Sequence, residues 1–225
     1  FIEKNIDYLN WPQNPKIIFT SFQHYFDDIF KIYTIKKKRD GAKLYLLQHG
    51  HQNLERTCFT ANFEKRICER YFTWGSKSLD AKTTPLFCTS SAGKTLKKKT
   101  NQRIILSYTE FFLKPWKSTV LPRIVDETQI YRNDILNLIK SLNKNLQNKV
   151  TLKYNTQGSN YITDEIKKRF KQLNFIKTDL KKRGFELSCN YKLNIETVNS
   201  TGFLELLSLN IPVILVTNKK SIVQK

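Results

Sequence analysis

The chain has 225 residues, a formal charge of +20, and 40% hydrophobic and 12% aromatic residues. This length is enough for one large domain or two small ones. The 25 Phe and Tyr residues, against 13 Gly and Pro, exclude a disordered chain. No apolar run approaches the roughly 20 residues of a membrane span. The four cysteines form no Cys-x-x-Cys pair, which excludes a disulfide scaffold and a zinc ribbon.

The positive charge is carried mainly by lysine, which outnumbers arginine by 30 to 9. Codons for Lys, Asn, Ile, Phe and Tyr are rich in A and T, so an AT-rich coding sequence explains much of this excess. Proteins that read nucleic acids rely on arginine for bidentate contacts. The scarcity of arginine argues against a nucleic-acid partner and leaves an anionic substrate or a membrane surface open. The chain begins at Phe1 and contains no methionine, so we interpret it as a segment of a longer protein. Its first series of elements looks cut at the N-terminus and its second at the C-terminus.

The first part of the chain alternates short apolar runs with helical periodicity. Phe26, Ile29, Phe30 and Tyr33 recur at helical spacing, and the basic residues 36–39 before Gly41 are typical of a helix end. The predicted strand, helix, strand, helix and strand lie at 16–21, 23–39, 43–48, 60–69 and 70–74. This βαβαβ order indicates a parallel sheet with helices packed on it.

A second series follows a stretch, 76–102, that lacks periodicity. We predict a first domain over 1–88, a linker over 89–102 and a second domain over 103–225. Asp126 with Gln129 resembles a capping box, and residues 181–183 before Gly184 resemble another helix end. The predicted strands lie at 103–108, 150–154, 193–198 and 212–216, and the predicted helices at 129–147, 163–173 and 201–209.

The fold class that we predict is α/β, with two Rossmann-like domains of GT-B type that face a cleft. Ligands of open α/β sheets bind beyond the carboxyl ends of the strands. The segments to inspect are therefore 21–24, 48–51, 74–75, 109–110, 155–158 and 199–205.

A histidine follows the second predicted strand, in the segment Gln48-His49-Gly50-His51. At such a position His49 is able to act as a general base or to bind a phosphate, although a solvated loop histidine is the alternative. A metal site beginning at His49 and His51 is disfavoured, because Glu55 and Cys58 do not complete a familiar ligand spacing. We therefore predict no metal.

The turn at 199–205 leads from a strand into a helix. Ser200 is a good N-cap, and backbone N–H groups at a helix start bind phosphate. Gly202 permits close approach of a ligand, and Glu205 is placed to accept hydrogen bonds from ribose hydroxyls. The alternative is an ordinary capped helix with Glu205 on the surface.

Three segments occur in the order and spacing of a known family: LLQHG, FEKRICERYFTWGS and VNSTGFLELLSLNIPVILVTN. The chain resembles the transferases of bacterial surface-carbohydrate biosynthesis first noted in leptospiral polysaccharide clusters. That family is similar to GT-B glycosyltransferases and, distantly, to capsule Kdo transferases and teichoic-acid glycerophosphotransferases. The resemblance covers about residues 16–225.

The resemblance implies positions for the functional residues. The catalytic positions fall on His49 and on Glu64, the acidic residue before the Thr-Trp-Gly strand end. Lys153 stands where the family usually has arginine, and it keeps the charge without the bidentate fork. Together with Gly202 from the turn described above, these positions give the expected donor-binding set: Gly50, Lys153, Asn199, Ser200, Thr201, Gly202 and Glu205.

The activity implied is a glycosyltransferase that moves a sugar from a nucleotide-linked donor to a surface-polysaccharide acceptor, a glycan or a lipid-linked molecule. The second domain would hold the donor, and His49 would deprotonate the acceptor or stabilise the leaving phosphate. No cofactor is expected, because the helix dipole and basic residues offset phosphate charge. The family also implies a cytoplasmic location, with peripheral contact at the anionic inner face of the plasma membrane left open.

Three alternatives remain. A polyol-phosphate transferase has a similar two-domain layout. A non-enzymatic module that binds polyanions would show strongly salt-dependent binding to DNA or RNA. An inactive remnant of the family is the third.

Overall fold

The computed structural model describes residues 6–50, 59–75, 80–96, 101–110, 125–155, 160–178 and 183–216. The chain divides into two compact units, residues 1–92 and 93–225. Each unit is α/β, with a parallel sheet flanked by helices. No helix within the described ranges combines the length and the apolar character needed to cross a bilayer.

The first unit contains the predicted βαβαβ series and one further strand. Its four strands are all parallel and lie in the order β1-β2-β3-β4. Its elements are a 3₁₀ helix at Ile6–Tyr8, β1 at Ile17–Thr20, α1 at Gln23–Phe26, α2 at Asp28–Arg39, β2 at Lys43–Leu47, α3 at Phe59–Ile67, β3 at Arg70–Trp74 and β4 at Thr83–Leu86.

The helix predicted over 23–39 is interrupted at Asp27. The backbone of Asp27 is extended, with φ −108° and ψ 101°, and its carboxylate accepts a hydrogen bond from the Phe30 amide at 2.9 Å. Asp27 therefore caps a new helix, α2, instead of continuing α1. As a result only part of the predicted apolar face is in the core: Tyr33 is buried, whereas Phe26 is 71% exposed.

The strand β4 was absent from the prediction, which assigned its residues to an aperiodic stretch. Its sequence, TTPL, has no alternation of apolar and polar residues. Pro85 pairs in register with Thr73 of β3. Because proline has no backbone N–H, it is confined to edge strands, and β4 lies at the edge of its sheet.

The second unit contains five parallel strands in the order β7-β6-β5-β8-β9. Its elements are β5 at Asn101–Thr109, α4 at Val125–Ser141, α5 at Lys144–Gln147, β6 at Val150–Asn155, α6 at Tyr161–Arg169, β7 at Asn174–Lys177, α7 at Gly184–Ser188, β8 at Tyr191–Glu196, α8 at Thr201–Ser208 and β9 at Val213–Leu215. The four predicted strands are all present, and β7 and α7 are additional.

The core of the second unit is formed by one face of α4 and α6 against the sheet. Ile135 and Ile139 of α4 pack with Leu106, Leu152 and Ile166, all of them at most 2% exposed. The helical periodicity predicted over 129–147 is thus confirmed as far as Ser141.

Three predicted helix boundaries in the second unit are wrong. The long helix ends at Ser141, and Asn143 begins a separate short helix, because its side chain accepts from the Leu146 amide at 2.9 Å and caps α5. Gly184 begins α7 rather than ending a helix, since Arg183 before it is extended with φ −68° and ψ 134°. The helix α4 begins at Val125, so Asp126 lies within it and not before it.

The strand order creates a reversal at β5. The chain moves from β5 outward to β6 and β7, and then returns to the opposite side of β5 for β8 and β9. In an open α/β sheet such a reversal leaves a crevice beyond the carboxyl ends of the two central strands. Here those strands are β5 and β8.

Candidate functional site

The turn that carries His49 is fixed by the side-chain amide of Gln48. Gln48 is 2% exposed. Its Oε1 accepts a hydrogen bond from the Trp74 amide at 2.7 Å, and its Nε2 donates to the carbonyl of Gly50. Gly50 has φ 74°, a conformation that glycine adopts without strain. One buried amide therefore joins the ends of β2 and β3, and holds the backbone on both sides of His49.

His49 itself is exposed, as a residue that meets a substrate must be. Its ring centroid lies 4.2 Å from that of Phe22, which follows β1 and is 42% exposed. The structure thus brings together the predicted base and an aromatic ring that the prediction did not assign.

Glu64 is enclosed in the first unit and is 0% exposed. Its Oε1 lies 2.7 Å from Nε2 of His24 and accepts from the Tyr25 hydroxyl at 2.6 Å, while its Oε2 accepts from the Tyr71 hydroxyl at 3.1 Å. A carboxylate so surrounded has no open path to a substrate. Its contact with His24 connects it to the segment that follows β1.

Sequence reasoning gave His24 no role, although it lies in the segment 21–24 beyond β1. Its side chain is 7% exposed, and Nδ1, the nitrogen not facing Glu64, has no hydrogen-bond partner among the described residues. The position beyond a strand was the available signal. What the sequence did not reveal is that Glu64 on α3 would meet His24.

The second unit contains a cavity of about 190 Å³ at the reversal of strand order. It lies beyond the carboxyl ends of β5, β6 and β8, and α7 and the start of α8 also line it. Three residues of the predicted donor-binding set contribute to its wall, namely Lys153, Ser200 and Gly202.

Three polar residues stand in one row across the sheet beneath this cavity. Ser107 of β5 is in register with Lys153 of β6 on one side and with Glu196 of β8 on the other. Lys153 Nζ lies 3.8 Å from Glu196 Oε1, and the two side chains are 14% and 10% exposed. Burial raises the pKa of Glu196, against the opposing influence of the Lys153 charge and the Ser107 hydroxyl.

The helix α8 begins beside this row. Ser200 is its N-cap, and the hydroxyl oxygen of Ser200 accepts from the Phe203 amide at 3.4 Å. The first amides of a helix have no partner within the helix, and because Phe203 donates to Ser200, the amides of Thr201 and Gly202 are the ones at the start of α8 that suit an anion. A Cβ atom at Gly202 would make only an ordinary van der Waals contact with the Ser200 hydroxyl oxygen, at 3.5 Å, so the surrounding protein does not itself require glycine at this position.

Other members of the predicted donor-binding set lie outside the cavity wall. Asn199, Thr201 and Glu205 are not among its lining residues. Glu205 is 9% exposed, so the alternative of a surface position is wrong. Asn199 has a buried amide oxygen without a hydrogen-bond partner in the described part of the chain. Gly50 belongs to the first unit.

Glu110, which also follows β5, has a structural role. Its carboxylate is 2% exposed and accepts from the amides of Ile162 and Thr163 at 3.1 and 2.6 Å, and from the Thr163 hydroxyl at 2.6 Å. It thereby caps α6, whose own N-cap residue, Asn160, makes no side-chain capping bond. The Tyr108 hydroxyl lies 2.8 Å from the Thr163 hydroxyl, and burial raises the pKa of Tyr108.

A second cavity, of about 260 Å³, lies beside α4. Asp134 is the one charged residue of its wall, so it offers no cation for a phosphate. No group of three or more His, Cys, Asp or Glu residues suited to a metal ion occurs within the described ranges. The smaller cavity, with Lys153 and the α8 amides, is therefore the stronger candidate for an anionic ligand.

A comparison with protein families gives a match that spans nearly the whole chain. The model described as LIC12162 family transferase matches residues 2–223. The chain belongs to this family. No curated protein matches it. Membership of the LIC12162 family identifies the protein as a transferase, while the group transferred and its donor are not given by the family description.

Proposed function

We propose that this LIC12162 family transferase is a glycosyltransferase that uses a nucleotide-linked sugar donor and a surface-polysaccharide acceptor. The observation that carries the proposal is the cavity beyond β5 and β8, where Lys153 and the start of α8 lie together. The strand order of the second unit, read from its own first strand as 3-2-1-4-5, is that of nucleotide-binding Rossmann-like folds. It supports a GT-B-like interpretation.

In this proposal the second unit binds the donor. The α8 amides and Ser200 hold the phosphate that leaves with the nucleotide, and Lys153 offsets its charge. No metal is needed, because these groups supply the positive potential. Asn199, Thr201 and Gly202 belong to the same turn and helix, and we assign them to shaping that phosphate site. Glu205, for which the sequence predicted a contact with the donor ribose, does not line the cavity.

The first unit supplies the base. His49 accepts the proton of the acceptor hydroxyl, and the hydroxyl oxygen bonds to the anomeric carbon as the bond from that carbon to the phosphate oxygen breaks. The electron pair of the broken bond stays on the phosphate. Glu64, which is enclosed, acts as a positioning residue through His24, and Gly50 permits the turn that presents His49.

The first test is a thermal-shift screen of the full chain with UDP-, GDP-, CDP- and CMP-linked sugars, with a short DNA oligomer as control. A ligand that binds only the folded state raises the melting temperature. We expect one nucleotide class to raise it at low and high salt alike. A shift with DNA alone that disappears with salt would instead favour the polyanion-binding module.

A pair of variants separates the two roles in one assay. His49→Ala should abolish sugar transfer and leave donor binding largely intact. Ser200→Ala should weaken donor binding, because the N-cap that orients the α8 amides is lost. Equal loss of both properties in His49→Ala would mean that His49 binds the donor.

A polyol-phosphate transferase is the second candidate, because Lys153 and the α8 amides are equally suited to the phosphate of a CDP-polyol. The products formed from sugar-nucleotide and CDP-polyol donors distinguish the two. A cytoplasmic location with peripheral contact to an anionic membrane is part of the same proposal, and binding to anionic vesicles tests the membrane contact.

A further inference from the structure

We propose that Glu196 is the residue through which the cavity selects a ribonucleotide, by accepting a hydrogen bond from a ribose hydroxyl while Lys153 holds the adjoining phosphate. This inference rests on the proposed function and adds the chemical class of the group that the cavity takes. The sequence patterns assigned no role to Glu196.

The first support is the distance between the charged atoms of Lys153 and Glu196. At 3.8 Å the ammonium nitrogen and the carboxylate oxygen are too far apart for a direct hydrogen bond. Their charges offset one another, yet the N–H groups of Lys153 and lone pairs of Glu196 remain available to a third group. Both residues line the cavity, so a ligand within it is placed to make these hydrogen bonds.

The second support is the sign of the charges. A phosphate alone is attracted by Lys153 and the α8 amides but repelled by the carboxylate of Glu196. A ligand that presents a phosphate on one side and a hydroxyl on the other satisfies all three groups. The ribose and phosphate of a nucleotide have this arrangement, with the hydroxyl donating to the carboxylate in a charge-assisted bond.

The third support is size and position. A cavity of about 190 Å³ is smaller than the roughly 300–1,000 Å³ of sites that enclose a whole drug-sized ligand. It therefore suits part of a nucleotide rather than all of a nucleotide sugar. Glu205 does not line it, whereas Glu196 is in register with Ser107 at its base.

The test compares ribonucleotides with analogues that lack the hydroxyls. UDP, GDP, CDP and CMP are each titrated against their 2′,3′-dideoxy counterparts into the full chain by calorimetry, with inorganic phosphate and glycerol 3-phosphate as further probes. One hydrogen bond to a carboxylate corresponds to about a tenfold preference for the ribonucleotide. We expect that preference in the wild type, and its loss in Glu196→Leu.

A second variant gives a signature of opposite sign. Glu196→Gln removes the negative charge, so it should increase the affinity for inorganic phosphate. It should also reduce the preference for ribonucleotides over dideoxynucleotides several-fold. This result decides the question even where Glu196→Leu fails to fold. Glu186→Gln is the matched control, since Glu186 is exposed on α7 and does not line the cavity, and it should change neither property.

Other outcomes overturn the inference in distinguishable ways. Equal affinity of the wild type for ribonucleotides and dideoxynucleotides contradicts the role of Glu196. A preference for ribonucleotides that is retained in Glu196→Leu contradicts it as well. Neither result contradicts the proposal of a nucleotide-dependent transferase. Stronger binding of glycerol 3-phosphate than of any nucleotide favours a polyol phosphate instead. Binding of no nucleotide overturns the proposed function as well.

Discussion

Glu64 shows how much can depend on one enclosed carboxylate. It is surrounded by His24, Tyr25 and Tyr71, and both of its oxygens accept hydrogen bonds. An amide in its place has one accepting oxygen and an NH₂ group that cannot accept. The NH₂ group would then face a donor from which the carboxylate now accepts, and that buried hydrogen bond would be lost.

We therefore expect Glu64→Gln to lower the free energy of unfolding by about 1–3 kcal/mol, the cost of an unsatisfied buried polar group. Urea denaturation provides the measurement. Glu186→Gln, an exposed change of the same chemistry, should remain within about 0.5 kcal/mol of the wild type. If Glu64→Gln were as stable as this control, the hydrogen bonds to Glu64 would contribute nothing to stability.

Glu196 makes the stability of the protein depend on pH. Burial is the main influence on its pKa and raises it above the ordinary value of 4.5. The folded protein then binds the proton of the Glu196 carboxyl more tightly than the unfolded chain does. The contribution of this proton to the free energy of unfolding is complete below about pH 4.5 and is lost as the pH rises through the raised pKa.

The measurement is the difference in unfolding free energy between wild type and Glu196→Gln from pH 4 to pH 8. We expect the wild type to lose stability relative to the variant as the pH rises, because glutamine does not ionise. Glu186→Gln should give a difference that is nearly constant with pH. A difference that grew in favour of the wild type would mean that Lys153 outweighs burial.

At the scale of the elements, α6 is capped by a residue from another part of the chain. Glu110 follows β5 and accepts the first amides of α6, whereas Asn160, at the usual capping position, makes no side-chain bond. Because the start of α6 has no local side-chain cap, its first amides depend on Glu110, after β5, for their hydrogen-bond partner. This arrangement ties α6 to the carboxyl end of β5, next to the cavity.

Glu110→Gln should lower the free energy of unfolding by about 1–2 kcal/mol, because an amide cannot accept both backbone hydrogen bonds. Asn160→Ala should have little effect, although sequence position alone makes it the expected cap. Chemical denaturation of the two variants provides the comparison. A larger loss for Asn160→Ala would show that the local residue is the cap.

The strands and long helices were predictable because their apolar periodicity is strong. The predicted bounds of the strand at 70–74 are those of β3, and Ile135 and Ile139 lie on the buried face as expected. The helix breaks at Asp27 and Asn143 depend on side-chain capping bonds that periodicity does not encode. The short strand β7, at the edge of its sheet, offers too few residues for a pattern.

At the scale of the whole molecule, the lining of the cavity beyond β5 and β8 was only partly predictable. Lys153 and Ser200 were identified, the first through the family resemblance and the second through its capping pattern. Glu196 was not, because its proximity to Lys153 arises only when β6 and β8 pair on opposite sides of β5. Strand order and register bring together residues 43 positions apart in the chain, and no local pattern states that order.

The overall charge of +20 gives a separate prediction. Binding to a DNA oligomer, where it occurs, should weaken by orders of magnitude between about 50 and about 200 mM salt, since it would rest on phosphate contacts by surface lysines. Binding of a nucleotide in the cavity should change far less, because buried charges are screened weakly. Fluorescence anisotropy of labelled DNA beside calorimetry of the nucleotide measures both. DNA binding that resisted salt would contradict the lysine-based explanation.

Pro85 bears on how copies of the protein behave beside one another in a crowded solution. The outermost strand of a sheet presents unpaired backbone groups to which a strand of a neighbouring molecule can add. Proline lacks the N–H that such an added strand would require at that position. Pro85 therefore limits the addition of a further strand at the β4 edge of the first sheet.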